Sequence, residues 1–464
     1  MNPTRTLART VLACLAVTAI TLTAAAAAAA VPVPSAGTMG GPARAGLAMS
    51  GLALQPGPGI VPPGHVYPLW RLAGARRLVR RPGAAAAPLA APGGYGAGNL
   101  RAYLGLRGSG AGQTVAVTEA FNVQNPLSVA TFGKQDDVTN ALARYDSWYG
   151  LSPACSARVT TGCFRLRFTA PHGTAPPSLA NGTWTIEAEL DVEMIHALAP
   201  RASIVVVEGH DNGVKPMMAA VGYAQSLHPA AISNSWTVDE FAGEKAIATH
   251  CTATGAPCVF SAGDCGSYRN SSCPAGMIGG FPAANAGVLA VGGTALSLSP
   301  TGKVRSETAW SDSGGGVSRY EPVPRYQRAA DPRHGGRGIP DVSFDADPSS
   351  GVATYFYIAG TVQGQLEFLI NGWSETGGTS VGAPAWAAIL ASAAQLRAAA
   401  GKPLLTIAGL HAALYGKSGA KPIADITVGV NGLCRPACAA GPGYDLVTGE
   451  GSPRRGIDSY LARQ

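Results

Sequence analysis

Between residues 114 and 292 short apolar runs alternate with helical patterns, and this alternation constrains the fold more than any other feature of the chain. Strand-like runs fall at Thr114–Ala120, Ser203–Glu208, Ala230–Ser235, Cys258–Ala262 and Val288–Gly292. Between them, Asp136–Tyr149, Trp184–Leu198, Val214–Leu227 and Gly243–Thr249 carry helical spacing. Strand, helix and strand in repeated succession lay the strands parallel in one sheet with helices over its faces. The expected class is α/β with a mainly parallel central sheet. No internal repeat is visible. After Gly293 the sequence becomes glycine-rich, and two more helices are expected, at Ala385–Ala400 and near Ile407–Tyr415.

The first of these two follows Gly-Gly-Thr-Ser380-Val-Gly-Ala-Pro384. Glycines permit a tight turn with exposed backbone. Proline is tolerated in a helix only in its first turn, so the helix should begin close to Ser380. Its free N–H groups and positive dipole end then face any negative charge that forms beside the hydroxyl. That is the local architecture of a nucleophilic serine, provided another group activates it.

Composition bounds the rest. The 464 residues are 46% hydrophobic and 13% charged, enough for a large core or two domains. The net charge of +7 is thinly spread, and only Arg76, Arg77, Arg80 and Arg81 cluster. Without a basic stripe interleaved with aromatics, no nucleic-acid partner is expected. Residues 1–30 read as a secretory signal peptide. Arg5 and Arg9 precede the apolar run Val11–Leu22, and an alanine tract offers cleavage sites. That run is short for a membrane span, so no stable membrane association is expected. Cys14 precedes most of it and is an ordinary signal residue. Residues 31–94, rich in Ala, Pro and Gly, read as a disordered leader or short propeptide. Within it Tyr67 to Val79 carries large apolar side chains able to dock on the body, which is expected to span 95–464.

Eight cysteines remain once the signal is removed: Cys155, Cys163, Cys251, Cys258, Cys265, Cys273, Cys434 and Cys438. An even number in an exported chain points to disulfides. Sequence neighbours are the simplest pairing, 155–163, 251–258, 265–273 and 434–438, among about 105 possibilities. The closest pair, Cys434 and Cys438, has no paired histidines beside it, which argues against zinc.

Two groups compete to activate Ser380. His172, in Pro-His-Gly-Thr, matches the form of a subtilisin-type histidine motif, but Ala-Pro-Pro follows and blocks the helix such a motif opens. The other candidate lies in Trp184–Leu198. At about 100° per residue, Trp184, Ile186, Leu190, Met194, Ile195 and Leu198 share one broad face, and Glu187 and Asp191 fall inside it. Glu189, Glu193 and His196 fall on the opposite side, where solvent is expected. Two carboxylates four residues apart repel, and burial penalises both. Facing a serine, one can accept the hydroxyl proton while the other holds and polarises the first. Such a base works in acid.

Several separated motifs, in order, make the chain from Gly94 onward resemble the sedolisins, the serine-carboxyl peptidases. They are Glu187-Ala-Glu-Leu-Asp191, Ser261-Ala-Gly-Asp264, Gly314-Gly-Gly-Val-Ser318, Pro340-Asp-Val-Ser343 and Gly-Thr-Ser380 with Pro384. The resemblance implies a subtilisin-like three-layer fold with a Ser-Glu-Asp triad. It implies Ser380 as nucleophile, Glu187 as general base and acid, Asp191 as its orienter and Asp264 as oxyanion stabiliser. An ionised carboxylate would repel an oxyanion, so the Asp264 role requires a neutral acid and again favours low pH. The resemblance also implies one structural calcium ion. Its ligands would be the carboxylates of Asp425 and Asp445 and the carbonyls of Ile426, Gly441 and Gly443, a hard oxygen set around a glycine loop. The family usually carries a long folded prosegment, whereas the leader here is short, which leaves the means of holding such an enzyme inactive open. The expected protein is a secreted, acid-active endopeptidase acting on proteins or peptides through an acyl-enzyme. The rivals are a subtilisin-type peptidase using His172 and an inactive secreted binding protein of the same fold.

Overall fold

The apolar runs assemble into one eight-stranded sheet. Its order is Val304–Ala309, Val288–Leu298, Cys258–Ser261, Ala231–Asn234, Thr114–Ala120, Ser203–Gly209 and Leu166–Thr169, with Val342–Asp345 also paired to Val288–Leu298. All neighbours are parallel except Val304–Ala309, which returns antiparallel. The computed structural model describes residues 64–69, 71–73, 92–123, 137–177, 182–267, 280–330, 335–362, 365–416, 420–434 and 436–464. The expected signal peptide, most of the leader and Cys273 lie outside them.

Strand interiors such as Val115, Val117, Val206, Ile232 and Val259 are fully buried on both faces, as parallel strands covered by helices must be. On one face Val115, Val117 and Ile204 pack with Ile186, Leu190, Val381 and Trp386 from the helices Thr183–Leu198 and Thr379–Ala399. On the other, Ala116, Val205 and Ile232 pack with Met217 and Val221 of Val214–Ser226. This is the three-layer α/β arrangement expected. Three of the neighbour pairings hold, 155–163, 251–258 and 434–438. Cys265 is also disulfide-bonded. Among the described residues no helix is long and apolar enough to cross a membrane.

Two departures from the sequence reading shape the site. The first is a long antiparallel hairpin, Val352–Val362 with Gln365–Gly377, where glycine-rich loops were expected. It covers the supposed solvent face of Thr183–Leu198, so all sixteen residues of that helix are buried. Glu193 accepts the N–H of Tyr355 at 2.9 Å and Glu189 that of Tyr357 at 3.1 Å. Four residues along a helix rise about 6 Å, close to the roughly 6.7 Å spanned by two strand residues. The two glutamates therefore seal consecutive outward N–H groups of one strand edge. His196 is buried too, its Nε2 near Ser152 O at 2.9 Å and Asp146 at 3.1 Å.

The second departure concerns Pro384. The helix begins at Thr379, which puts the proline in its second turn rather than its first. A proline there cannot donate to the carbonyl four residues back, that of Ser380. The orphaned Ser380 carbonyl instead lies 3.4 Å from the Ser235 hydroxyl. The helix nonetheless runs on to Ala399, so the proline is tolerated at a position that the sequence rule excludes.

Candidate active site

The site forms beyond the carboxyl ends of the parallel strands, where open α/β sheets place their ligands. Ala231–Asn234 ends at Ser235, Cys258–Ser261 leads to Asp264, and the helix carrying Ser380 starts beside both. Two glycines make these turns possible. Gly378 has φ 98° and Gly263 φ 113°, a region side chains disfavour. The glycine motif at 314 serves the same turn, since a Cβ on Gly314 would sit 2.2 Å from the Ala262 carbonyl oxygen.

Glu187 and Asp191 project into this corner from Thr183–Leu198, both with no solvent exposure. Asp191 is held by two serines, Ser235 Oγ at 2.7 Å and Ser233 Oγ at 3.2 Å, one on each oxygen. Burial raises its carboxyl above the ordinary aspartate range, against the pull of Ser235, Ser233 and Glu187. Burial, then the Asp191 charge, holds Glu187 well above the ordinary glutamate range, while hydrogen bonding to Ser380 and to the Leu69 N–H pulls downward. A proton taken by Glu187 is therefore well accommodated. Ser380 is itself fully buried, its hydroxyl 3.5 Å from the Ser235 carbonyl.

Asp264 is 1% exposed. Its Oδ1 accepts both the N–H and the hydroxyl of Thr379, each at 2.8 Å. Its Oδ2 makes no hydrogen bond and lies 3.7 Å from Arg71 Nε. Burial pushes this carboxyl up to about 6, against downward pulls from Arg71 and from Thr379. The structure thus gathers Ser380, Glu187, Asp191 and Asp264 in one corner. His172 lies exposed in a turn at 171–174 and shares no hydrogen bond with Ser380 among the described residues.

Sequence reasoning missed the supports. Ser233, Ser235 and Thr379 are small polar residues in strand and turn, and their signal was only their place at a strand end or next to the nucleophile. Glu119 was missed as well. It is fully buried in Thr114–Ala120, neither oxygen has a hydrogen-bond partner, and burial, Asp191 and Glu187 raise its carboxyl well above the usual range.

At the expected metal site Asp425 and Asp445 reach the same glycine loop. Gly443 N–H donates to Asp425 at 2.7 Å and Gly441 N–H to Asp445 at 3.0 Å. A Cβ on either glycine would meet nothing within 4 Å, so the loop is open to approach. Two carboxylates and nearby carbonyls suit a hard cation. Among the described residues no cluster of three or more His, Cys, Asp or Glu side chains could hold a metal.

The leader also enters the site. Tyr67–Pro68 pairs antiparallel with Trp236–Thr237, and Arg71–Ala73 with Glu375–Gly377. Leu69 N–H donates to Glu187 at 2.9 Å and to the Ser235 carbonyl at 3.2 Å.

Known proteins support the same reading. No family model matches the chain. Kumamolisin from Bacillus sp. (strain MN-32) is 35% identical over 292 residues, covering 58% of this chain and 49% of that protein. Sedolisin from Pseudomonas sp. (strain 101) is 26% identical over 352 residues, covering 70% of this chain and 56% of sedolisin. The chain thus spans about half the length of these curated relatives. A solved structure of Pseudomonas sedolisin, a serine-carboxyl proteinase complexed with two molecules of pseudo-iodotyrostatin, matches with TM-score 0.59 at 20% identity. That match covers 81% of this chain and 100% of the sedolisin chain, and shows the fold. With Glu187, Asp191 and Ser380 gathered in one corner of that fold, the chain is similar to the sedolisins in sequence and in architecture.

Proposed function

We propose that this protein is a secreted, acid-active serine-carboxyl endopeptidase. The observation that carries the reading is the placement of Ser380, at the start of a buried helix, beside Glu187, which shares its buried corner with Asp191 one helical turn away. Glu187 takes the Ser380 proton as the hydroxyl adds to a peptide carbonyl, and Asp191, fixed by Ser233 and Ser235, orients it. Neutral Asp264 donates from Oδ2 to the developing oxyanion, joined by the Ser380 N–H. Glu187 returns the proton to the leaving amine, and water then releases the acyl group by the reverse sequence.

Endopeptidase action is supported by the leader, because chain lies in the cleft on both sides of Ser380, at 64–69 and 71–73. Disulfides support an oxidising, extracellular destination. Calcium, if held by Asp425, Asp445 and the carbonyls of Ile426, Gly441 and Gly443, would tie the C-terminal loop together and take no part in bond cleavage. An internally quenched peptide library assayed from pH 2 to pH 8 tests the reading. Cleavage confined to acid supports it, and cleavage that is greatest above neutral pH overturns it.

A further inference from the structure

We propose that a second pocket, between the helix Ile407–Tyr415 and the turn at Arg325 and Tyr326, binds the carboxyl end of an apolar peptide. It is separate from the catalytic corner, and its argument does not depend on the peptidase reading.

The direction of the strands separates the two sites. Ser380 and its carboxyls stand beyond the carboxyl ends of the parallel strands. The pocket opens at their amino ends, because Gly287 in its lining immediately precedes Val288–Leu298 and Ala253 lies ahead of Cys258–Ser261. Its volume is about 630 Å³, inside the range of roughly 300–1,000 Å³ that small-molecule sites occupy.

Three features of the lining specify a ligand. The first is an apolar slot, with Ile407, Ala408 and Ala412 on one wall and the Tyr326 ring on the other. That ring is already fixed. It stacks on the His411 imidazole with centroids 3.9 Å apart and planes 22° apart, and its hydroxyl donates to the Ala286 carbonyl at 3.2 Å. A preformed wall loses little freedom when a ligand arrives.

The second feature is a lone pair on the floor. His411 is 3% exposed. Its Nε2 lies 3.0 Å from the Val288 carbonyl and 4.0 Å from the Asp341 carboxylate. Both of these groups only accept, so Nε2 carries the proton and Nδ1 is an acceptor. Among the described residues Nδ1 has no protein donor, yet it is not sealed from solvent, and the pocket is the space it opens on. Burial, helped by Arg337, depresses the ring to about 4 against the pull of Asp341 and Val288, so the lone pair persists above that pH.

The third feature is an unused cation at the rim. Arg337, deeper in the protein, is paired with Asp341 at 2.7 Å. Arg325 is exposed and forms no ion pair among the described residues. A guanidinium fork matches a carboxylate through two parallel N–H···O bonds.

The last residue of a peptide supplies all three complements: an apolar side chain for the slot, an amide N–H for His411 Nδ1 and a carboxylate for Arg325. A fatty acid has no N–H to give. A free amino acid would carry its ammonium into an apolar slot, at the cost of desolvating it.

The test uses the full chain carrying Ser380→Ala, which prevents digestion, and calorimetric titration at pH 6 with N-acetyl-leucyl-phenylalanine. Two analogues are titrated beside it, one with the terminal carboxylate amidated and one methylated on the phenylalanine nitrogen. The acid is also titrated into Arg325→Gln and into Ala412→Trp, which fills the slot from an exposed helix position, with circular dichroism to confirm folding. We expect the acid to bind, the amide and Arg325→Gln each to weaken binding by at least about tenfold, the methylated analogue to bind more weakly than the acid, and folded Ala412→Trp to show no binding. Undiminished binding to folded Ala412→Trp would place the peptide elsewhere, the catalytic cleft included, and overturn the proposal. Equal affinity for the acid and either analogue would overturn it as well, as would the absence of binding at millimolar peptide.

Discussion

Asp264 takes both hydrogen bonds of Thr379 on one oxygen, Oδ1, and leaves Oδ2 without any. A single proton on this carboxyl then belongs on Oδ2, the oxygen that faces Arg71. The residue is thereby aimed as a donor, and only while it is neutral.

Activity should follow a bell in acid. Glu187 must shed its own proton before it can take that of Ser380, and because burial holds it well above the ordinary glutamate range the acid limb should lie above the usual carboxyl range. Asp264 must keep its proton, which it loses as pH rises past about 6. Arg71 lowers the Asp264 value, so the alkaline limb should move upward in an Arg71→Ala variant. Asp264→Asn should flatten that limb, because an amide donates at any pH. Initial rates between pH 2 and pH 8 for wild type and variant check this, and identical alkaline limbs would remove Asp264 from the oxyanion role.

Ser380→Ala, Glu187→Gln and Asp191→Asn should each lower turnover by about 10⁴-fold or more, with far less than additive loss in combination. His172→Ala should change it less than about twofold, since an exposed turn residue outside the site has a near-neutral effect. Kinetics on one quenched peptide, with circular dichroism to confirm folding, decide the matter. Inactivation by His172→Ala alone would restore the subtilisin-type reading.

Stability should rise as pH falls from neutral toward 4. Burial raises the carboxyls of Glu119, Glu187, Asp191, Glu193, Asp264 and Asp345 above their unfolded values. The native state therefore binds protons that the unfolded chain releases, and protonation on acidification favours folding. His411 opposes this. Its value is depressed to about 4, so the stability it contributes above its unfolded value of 6.5 is lost between 6.5 and 4. One histidine faces six carboxyls. Calorimetry of Ser380→Ala, which cannot digest itself, should show Tm several degrees higher at pH 5 than at pH 7.5. A lower Tm at pH 5 would refute the balance.

Calcium should stabilise the C-terminal loop. An ion that binds only the native state, at a hundred times its Kd, adds about 2.7 kcal/mol. Excess chelator should lower Tm in wild type and leave an Asp425→Ala, Asp445→Ala double variant unmoved. Absence of metal from the purified protein, with no response of Tm to either ion or chelator, would dismiss the site.

The central sheet was legible because its strands are continuous apolar runs. Thr114–Ala120 has the boundaries read from sequence, and Ser203–Gly209 and Ala231–Asn234 are within a residue or two. Glu187 and Asp191 were legible because charge stands inside an apolar stripe. Glu189 and Glu193 were not, because a helix face reads alike whether water or the donor edge of a strand satisfies it. The leader strand was hidden for a related reason. Tyr67–Pro68 and Arg71–Ala73 are too short to carry a period, and their partners lie far away in sequence.

The seal that Glu189 and Glu193 place on the Tyr355–Tyr357 edge has a bearing on solubility in acid. An open strand edge recruits strands from other molecules, and acid usually worsens the hazard by discharging the carboxylates that keep such edges apart. Here the glutamates act as acceptors, and a protonated carboxyl still accepts through its carbonyl oxygen. The edge should stay closed to intermolecular strand addition at the low pH where the site is built to work.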